Sequence, residues 1–213
     1  TEFGFKLNLM DNRLQLNGTI FQTDYTDKQE DVILADPKPG GTTLTITQNA
    51  ANATMDGAEL EMTWIPTGGL TLGANVGILD ASYESWMPLG TSNNLVDKSD
   101  FIPRKAPDMT FGLSALYERQ LSNGAFLVTS LNYRWKDDFW LQPNNGGIPQ
   151  EAFGGQVKHY RTDPLLVDAF GILDASINYE TESWRISIFG KNLTDESYFM
   201  HSVDVAAGYD STP

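Results

Sequence analysis

The feature that most constrains the fold of this chain is a strict alternation of apolar and polar residues. In residues 3–9 the odd positions are Phe, Phe, Leu and Leu, whereas the even positions are Gly, Lys and Asn. Because successive side chains of a β-strand point to opposite faces, all of these apolar groups share one face. The pattern predicts a strand with one apolar side and one polar side.

The same alternation recurs along the whole chain. Turn-forming residues lie near positions 11, 67, 122 and 182, and longer polar connections are expected at about 27–53, 80–107 and 137–164. Between Ile20 and Phe21 the alternation changes phase, which indicates either a β-bulge or the end of a strand. No change of composition divides residues 1–213, so we expect one architectural unit. The predicted strands cover approximately residues 2–10, 14–20, 58–64, 70–78, 109–117, 125–135, 167–179 and 184–188.

Composition removes several classes of function. The net charge of −14 disfavours nucleic-acid binding, and the lack of cysteine excludes disulfides and cysteine-based metal sites. Two histidines do not build a zinc site alone, so we expect neither a metal nor a cofactor. The carboxylates of Glu59 and Glu61 are better explained as partners of basic groups than as catalytic acids, so no enzymatic activity is expected.

Three features favour a membrane environment over a soluble β-sandwich. The predicted strands are long, close to the roughly 9 to 11 residues that a tilted strand needs to cross a bilayer. Short turns at one end and long loops at the other are typical of bacterial outer-membrane barrels. Aromatic residues of the apolar rows lie beside the short turns, as in a membrane-interface girdle: Trp64, Tyr117, Tyr179 and Trp184.

A sheet in lipid cannot leave an edge unpaired, because its backbone groups have no water to bind. The predicted fold class is therefore all-β, an antiparallel up-and-down transmembrane β-barrel. The long connections are oversized for a closed barrel of about eight strands, so the chain is expected to be a segment of a larger barrel. A soluble, sugar-binding β-sandwich remains the alternative from a different class.

Four short segments resemble a known family. Residues 2–6 are similar to the E-x-G-x-K strand of TonB-dependent outer-membrane receptors, and residues 57–61 and 103–107 are similar to weaker landmarks. The most specific match is to the N-L-x-D-x-x-Y signature that precedes the last strand, carried here by Asn192, Leu193, Asp195 and Tyr198. For these four residues a structural role at a strand–loop junction is favoured over a functional one.

The resemblance implies that residues 1–213 form the C-terminal part of a barrel of about 22 strands. It places the plug, the TonB box and the last strand outside this sequence. It also implies a bacterial outer-membrane location, contact with outer-membrane lipid, and TonB acting through the plug. The implied function is TonB-energised uptake of a scarce nutrient such as a ferric siderophore. A passive porin-like channel is the alternative.

The predicted long loops carry aromatic residues that suit a bulky solute ligand. The candidate ligand-binding residues are Tyr83, Trp86, Phe139, Trp140, His159 and Tyr160. For Phe139 and Trp140, membership of the outer aromatic girdle is slightly favoured over ligand binding. An alternative role for these loops is that their acidic residues bind divalent cations that bridge lipopolysaccharide molecules.

Overall fold

A computed structural model describes residues 1–35, 43–88, 95, 97–142 and 166–201. None of these residues belongs to a helix that is long and apolar enough to cross a bilayer. The described residues form ten β-strands: β1 (Glu2–Leu9), β2 (Leu14–Ala35), β3 (Thr43–Thr67), β4 (Leu70–Trp86), β5 (Met109–Gln120), β6 (Phe126–Lys136), β7 (Phe139–Trp140), β8 (Leu166–Val167), β9 (Phe170–Glu180) and β10 (Arg185–Gly190).

Eight of these strands form one sheet in the order β1-β2-β3-β4-β5-β6-β9-β10, and every neighbouring pair is antiparallel. Strands β7 and β8 form a separate two-stranded ribbon. The sheet is an up-and-down meander, which confirms the predicted all-β fold class. Within the described ranges β1 and β10 are the two edges and do not pair, so the barrel is not closed by this segment.

The strand register places the predicted apolar rows on a single face. One row runs across five strands through Phe3, Ile20, Ala58, Ile78 and Met109. We call this side the apolar face. The polar face carries the intervening residues, and one of its rows runs through Lys6, Asn17, Glu61, Asn75, Gly112 and Arg134.

The apolar face is not covered by a second layer of the described chain. Phe3 is 70% exposed and Ile188 is 72% exposed, and Ile20, Ile78 and Leu113 are exposed as well. A soluble β-sandwich would bury such side chains against a facing sheet. No second sheet of the described residues lies over this face, so the sandwich alternative is wrong.

The β2–β3 hairpin extends much further than predicted. The two strands stay paired as far as Ala35 and Thr43, so most of the connection expected at 27–53 is a continuation of the hairpin. Polar cross-strand contacts support this extension, such as the hydrogen bond from Thr47 Oγ1 to Asp31 Oδ1 at 2.7 Å. The sequence reads as a loop there because a polar run at 26–31 and proline and glycine residues at 36–41 interrupt the apolar pattern.

The register irregularity of β2 also lies elsewhere than expected. Phe21 continues the regular register opposite Gly57, and the shift falls between Tyr25 and Lys28. Asp27 has φ of 55° at this bulge, and its N–H donates to Asn52 Oδ1 at 3.2 Å. Phe21 is accommodated on the polar face because its ring covers Gly57, which has no side chain to collide with it.

Two further predictions of loops are corrected by the structure. Strand β4 continues to Trp86 and includes Tyr83, whereas residues 80–107 had been expected to form a loop. Phe139 and Trp140 form β7, which pairs with β8. The predicted strand over 167–179 is split, because Asp168 and Ala169 separate β8 from β9.

Candidate functional site

The extended part of β2, β3 and β4 carries a small buried cluster on the polar face. Ala51, Ala53, Tyr83 and Trp86 are all buried, and Trp86 has no exposed surface. Ala53 pairs with Tyr83 and Ala51 pairs with Trp86, so the small β3 residues make room for the β4 rings. The rings of Tyr83 and Trp86 lie 4.9 Å apart between centroids.

Glu30 of β2 is fully buried in the same region. Its Oε1 accepts a hydrogen bond from the Tyr83 hydroxyl at 2.7 Å and pairs with Lys28 Nζ. Its Oε2 lies 3.7 Å from Nε of Arg104. A buried carboxylate is tolerated only when cations and donors of this kind replace its lost hydration.

The segment that follows β4 folds back over this cluster. We call residues 97–104 the strap. The Lys98 N–H donates to the Trp86 carbonyl at 2.8 Å, and the Trp86 N–H donates to Ser99 Oγ at 2.9 Å. Phe101 meets the Trp86 ring edge-on at 5.9 Å, and Lys98 Nζ lies 5.1 Å from that ring. Burial lowers the pKa of Lys98 below its ordinary value.

An open cavity of about 650 Å³ lies beside the strap. Three basic side chains on its walls stand out in a chain of net charge −14: Lys105, Arg134 and Lys136. Phe139 and the stacked pair Phe170 and Tyr198, with ring centroids 4.1 Å apart, add aromatic walls. Cations beside aromatic faces can hold a bulky solute that carries negative charge.

The basic groups of the cavity are held by different partners. Arg134 pairs with Asp174 at 2.8 Å across β6 and β9, and Lys136 Nζ lies 5.2 Å from the Phe139 ring centre. The Lys105 N–H donates to the Trp140 carbonyl at 2.8 Å, which joins the strap side of the cavity to β7. The Lys105 side chain is exposed, so a solute that enters the cavity can reach it.

Carboxylates also lie near this end of β6. Burial, followed by repulsion from Asp137, raises the pKa of Asp138 above its ordinary value. No set of three or more His, Cys, Asp or Glu side chains is placed to bind a metal ion in the part of the chain that the structure describes.

The structure separates the predicted ligand residues into two places. Tyr83 and Trp86 are buried in the cluster under the strap, whereas Phe139 lines the cavity and Trp140 is half-buried beside it in β7. His159 and Tyr160 lie outside the described residues. Contact of any of these residues with a ligand stays a prediction.

Sequence reasoning missed the basic residues of the cavity and Glu30. Alternation over the predicted strand at 125–135 puts Arg134 on its polar side, but it assigns no role to Arg134 or to Lys136. Charge is the signal that could have pointed to these basic residues. Cations are scarce in this acidic chain, and three of them lie close together in sequence at 98, 104 and 105. Nothing in the sequence indicated the burial of Glu30, because this residue was expected to lie in an exposed loop.

The signature residues form a hydrogen-bonded junction after β10. Asn192 has φ of 50°, and its N–H donates to Asp174 Oδ1 at 2.8 Å. Its side-chain amide donates to the Glu196 carbonyl at 2.9 Å, and its Oδ1 accepts from the Glu196 N–H at 3.1 Å. Leu193 covers Gly190, Asp195 has φ of 54°, and Tyr198 stacks on Phe170. These contacts are those of a strand–loop junction, and the structural role of the four residues stays a prediction.

The predicted girdle residues all lie near the short turns. Trp64 stands opposite Leu14 and Leu72, and Tyr117 stands opposite Leu70. Tyr179 and Trp184 stack with ring centroids 5.3 Å apart. Their contact with a membrane interface stays a prediction.

Comparison with known proteins matches this architecture. A family profile described as TonB dependent receptor-like, beta-barrel, matches residues 1–193. The ferric yersiniabactin uptake receptor FyuA from Yersinia pestis is 18% identical with a TM-score of 0.64, and the match covers 94% of this chain and 25% of that chain.

Two further receptor structures have the same fold over this region. The siderophore receptor PiuA from Acinetobacter baumannii is 20% identical with a TM-score of 0.60, covering 93% of this chain and 24% of that one. The ferripyoverdine receptor of the outer membrane of Pseudomonas aeruginosa is 15% identical with a TM-score of 0.55, covering 92% and 23%. The chain therefore spans about a quarter of the length of these solved structures.

Proposed function

The chain belongs to the TonB-dependent receptor β-barrel family, and from this membership we propose that it forms part of the wall of an outer-membrane receptor that imports a scarce nutrient. The family is one of transport receptors and not of enzymes. The single observation that carries the proposal is the register, which puts the apolar rows of eight strands on one uncovered face. Lipid is the environment in which such a face is stable.

The proposed cargo is a bulky, negatively charged solute such as a ferric siderophore. The cavity supports this proposal, because Lys105, Arg134 and Lys136 offer positive charge beside the rings of Phe139 and Tyr198. The similar structures from Yersinia pestis and Acinetobacter baumannii are described as receptors for ferric yersiniabactin and for siderophores, which supports the same class of cargo.

Energy for uptake is proposed to come from TonB acting on a plug domain. This part of the proposal rests on family membership. A passive porin would present the same kind of wall, but its transport would continue in cells that lack TonB. Uptake of a radiolabelled ferric siderophore by cells with the full-length receptor, with and without TonB, separates the two. Equal uptake in both strains would favour the porin.

The lipid-facing assignment is tested by two neighbouring residues of β5. Leu113 and Ser114 are both exposed but lie on opposite faces. We expect Leu113→Arg to destabilise the full-length receptor by about 2–4 kcal/mol, because an arginine near the bilayer midplane is poorly solvated. Ser114→Arg, on the polar face, should cost much less. The measurement is urea unfolding of the receptor in phospholipid vesicles.

Equal losses of stability for the two variants would contradict the lipid assignment. A larger loss for Ser114→Arg would place the lipid on the opposite face from the one proposed. Heat-modifiable gel mobility gives an independent check that each variant has assembled as a barrel.

A further inference from the structure

Among the residues that the structure describes, Glu30 is the only charged residue that is buried. Its position is unusual, because it lies on the part of β2 that extends beyond the apolar rows of the sheet. Glu30 does not line the cavity. The burial of this group therefore calls for an explanation in terms of what it holds together.

The contacts of Glu30 come from three separate elements. Lys28 belongs to the same strand, the Tyr83 hydroxyl comes from β4, and Arg104 comes from the strap. A buried carboxylate without its cations is strongly unfavourable. Lys28 and the Tyr83 hydroxyl satisfy Oε1 whatever the strap does, whereas Oε2 faces Arg104 of the strap.

Arg104 makes the loosest of these contacts. Its Nε lies 3.7 Å from Glu30 Oε2, its side chain is 37% exposed, and Oε2 has no hydrogen-bond donor within the described chain. Partly exposed ion pairs of this length are weak and sensitive to salt. The joint between Glu30 and the strap can therefore open without breaking the pairing of the strands.

We propose that Glu30 and Arg104 form a latch that holds the strap against the polar face of the extended hairpin. The latch fixes the position of Lys105, which follows Arg104 directly and lines the cavity with Arg134 and Lys136. When the latch opens, Arg104 leaves Glu30 while residues 98–101 stay on Trp86 through their own contacts, so the end of the strap next to Lys105 is the part that moves. This device concerns the conformation of the chain and goes beyond the proposed transport activity.

The test follows the motion of the strap in the full-length receptor. A nitroxide spin label is attached to cysteine introduced by Ile102→Cys, an exposed strap position two residues from Arg104, and its spectrum is recorded for receptor in detergent. The latch predicts a restricted label in the parent receptor. Arg104→Gln and Glu30→Gln should shift the label to a component that moves on the nanosecond timescale. Arg104→Lys, which keeps the charge, should restore most of the restricted component.

Two controls separate a latch from a general loosening of the fold. Glu84→Gln changes an exposed carboxylate of β4 that accepts a hydrogen bond from Thr54 at 2.9 Å, and it should leave the strap label restricted. A second label, introduced by Ser122→Cys in the β5–β6 turn, should be unaffected by every variant. Mobilisation of both labels together would overturn the latch.

The decisive variant is Arg104→Gln, because Arg104 lies outside the strands. A restricted strap label in this variant, with heat-modifiable mobility retained, would refute the proposal. If Glu30→Gln fails to assemble, Arg104→Gln and its lysine counterpart still decide. Since the readout is label motion and not uptake, the result is independent of whether the receptor carries the proposed cargo.

Discussion

Asn192 shows how a single side chain can hold the end of the described sheet in place. It adopts a positive φ that asparagine tolerates better than most residues, and its side chain both donates to and accepts from the backbone of Glu196. Its N–H binds Asp174, which also receives Arg134 from β6. The Asp174 carboxylate of β9 therefore connects the junction to β6 as well as to its own strand.

Replacing Asn192 tests this role. We expect Asn192→Ala to lower the free energy of unfolding by about 1–3 kcal/mol, because two backbone groups of Glu196 lose their partners and alanine is strained at this φ. Asn192→Asp keeps the acceptor and should cost less. The measurement is urea unfolding of the full-length receptor in vesicles, with Lys191→Ala, at an exposed neighbouring position, as the control. A cost for Lys191→Ala as large as for Asn192→Ala would argue against the junction.

For single residues, the sequence predicted on which face of the sheet a side chain lies better than it predicted which residues that side chain contacts. Arg134 was assigned to the polar side by alternation alone, since each step along a strand reverses the side-chain direction. Its pairing with Asp174 depends on the register of β6 against β9, which alternation does not specify. The burial of Glu30 depends on a strap more than 65 positions away in sequence, and no local pattern encodes that.

Among the elements, the β3–β4 turn depends on a glycine for two separate reasons. Gly69 has φ of 81°, and a Cβ atom built on it would lie 2.2 Å from the backbone oxygen of Glu118 in β5. Its own carbonyl accepts the Glu118 N–H at 2.7 Å, so the close approach joins the turn to the next strand. The adjacent Gly68 has no heavy atom within 4 Å of such a Cβ.

These two glycines form a matched pair for mutagenesis. Gly69→Ala should destabilise the full-length receptor by about 1–3 kcal/mol, because the backbone at Glu118 cannot move aside cheaply and the φ is unfavourable for alanine. Gly68→Ala should change stability by less than about 1 kcal/mol. Unfolding in urea, followed by tryptophan fluorescence, compares them. Similar effects at the two positions would show that the close contact with Glu118 is unimportant.

The elements were predicted accurately where the alternation is strongly apolar and poorly where it is polar. Residues 58–64 and 70–78 pair as expected, because aliphatic side chains at every second position leave little doubt about the face. In the β2–β3 hairpin, the polar run at 26–31 and the proline- and glycine-rich residues 36–41 interrupt the apolar pattern, so the sequence reads as a loop. Backbone pairing with a long partner strand, which a single-sequence pattern does not reveal, extends the hairpin.

For the whole molecule, solubility depends on three features: the net charge, the edge strands of the sheet and the uncovered apolar face. The net charge of −14 favours solubility through mutual repulsion, but the exposed apolar rows run across all eight strands of the sheet. Patches of this extent exceed the few hundred Å² that soluble monomers tolerate. Among the described residues, the outer edges of β1 and β10 also have no partner strand. We therefore expect association to prevail over charge repulsion when these residues are produced alone.

Residues 1–213 expressed without the rest of a barrel provide the corresponding experiment. In buffer without detergent, the piece should elute from size-exclusion chromatography as heterogeneous aggregates, because Phe3 and Ile188 on its edge strands meet water instead of neighbours. Light scattering gives the mass distribution, and the full-length receptor in detergent is the control. A monodisperse, soluble piece that unfolds cooperatively in urea would mean that the apolar face finds a protein partner within this sequence. The lipid-facing assignment would then be lost.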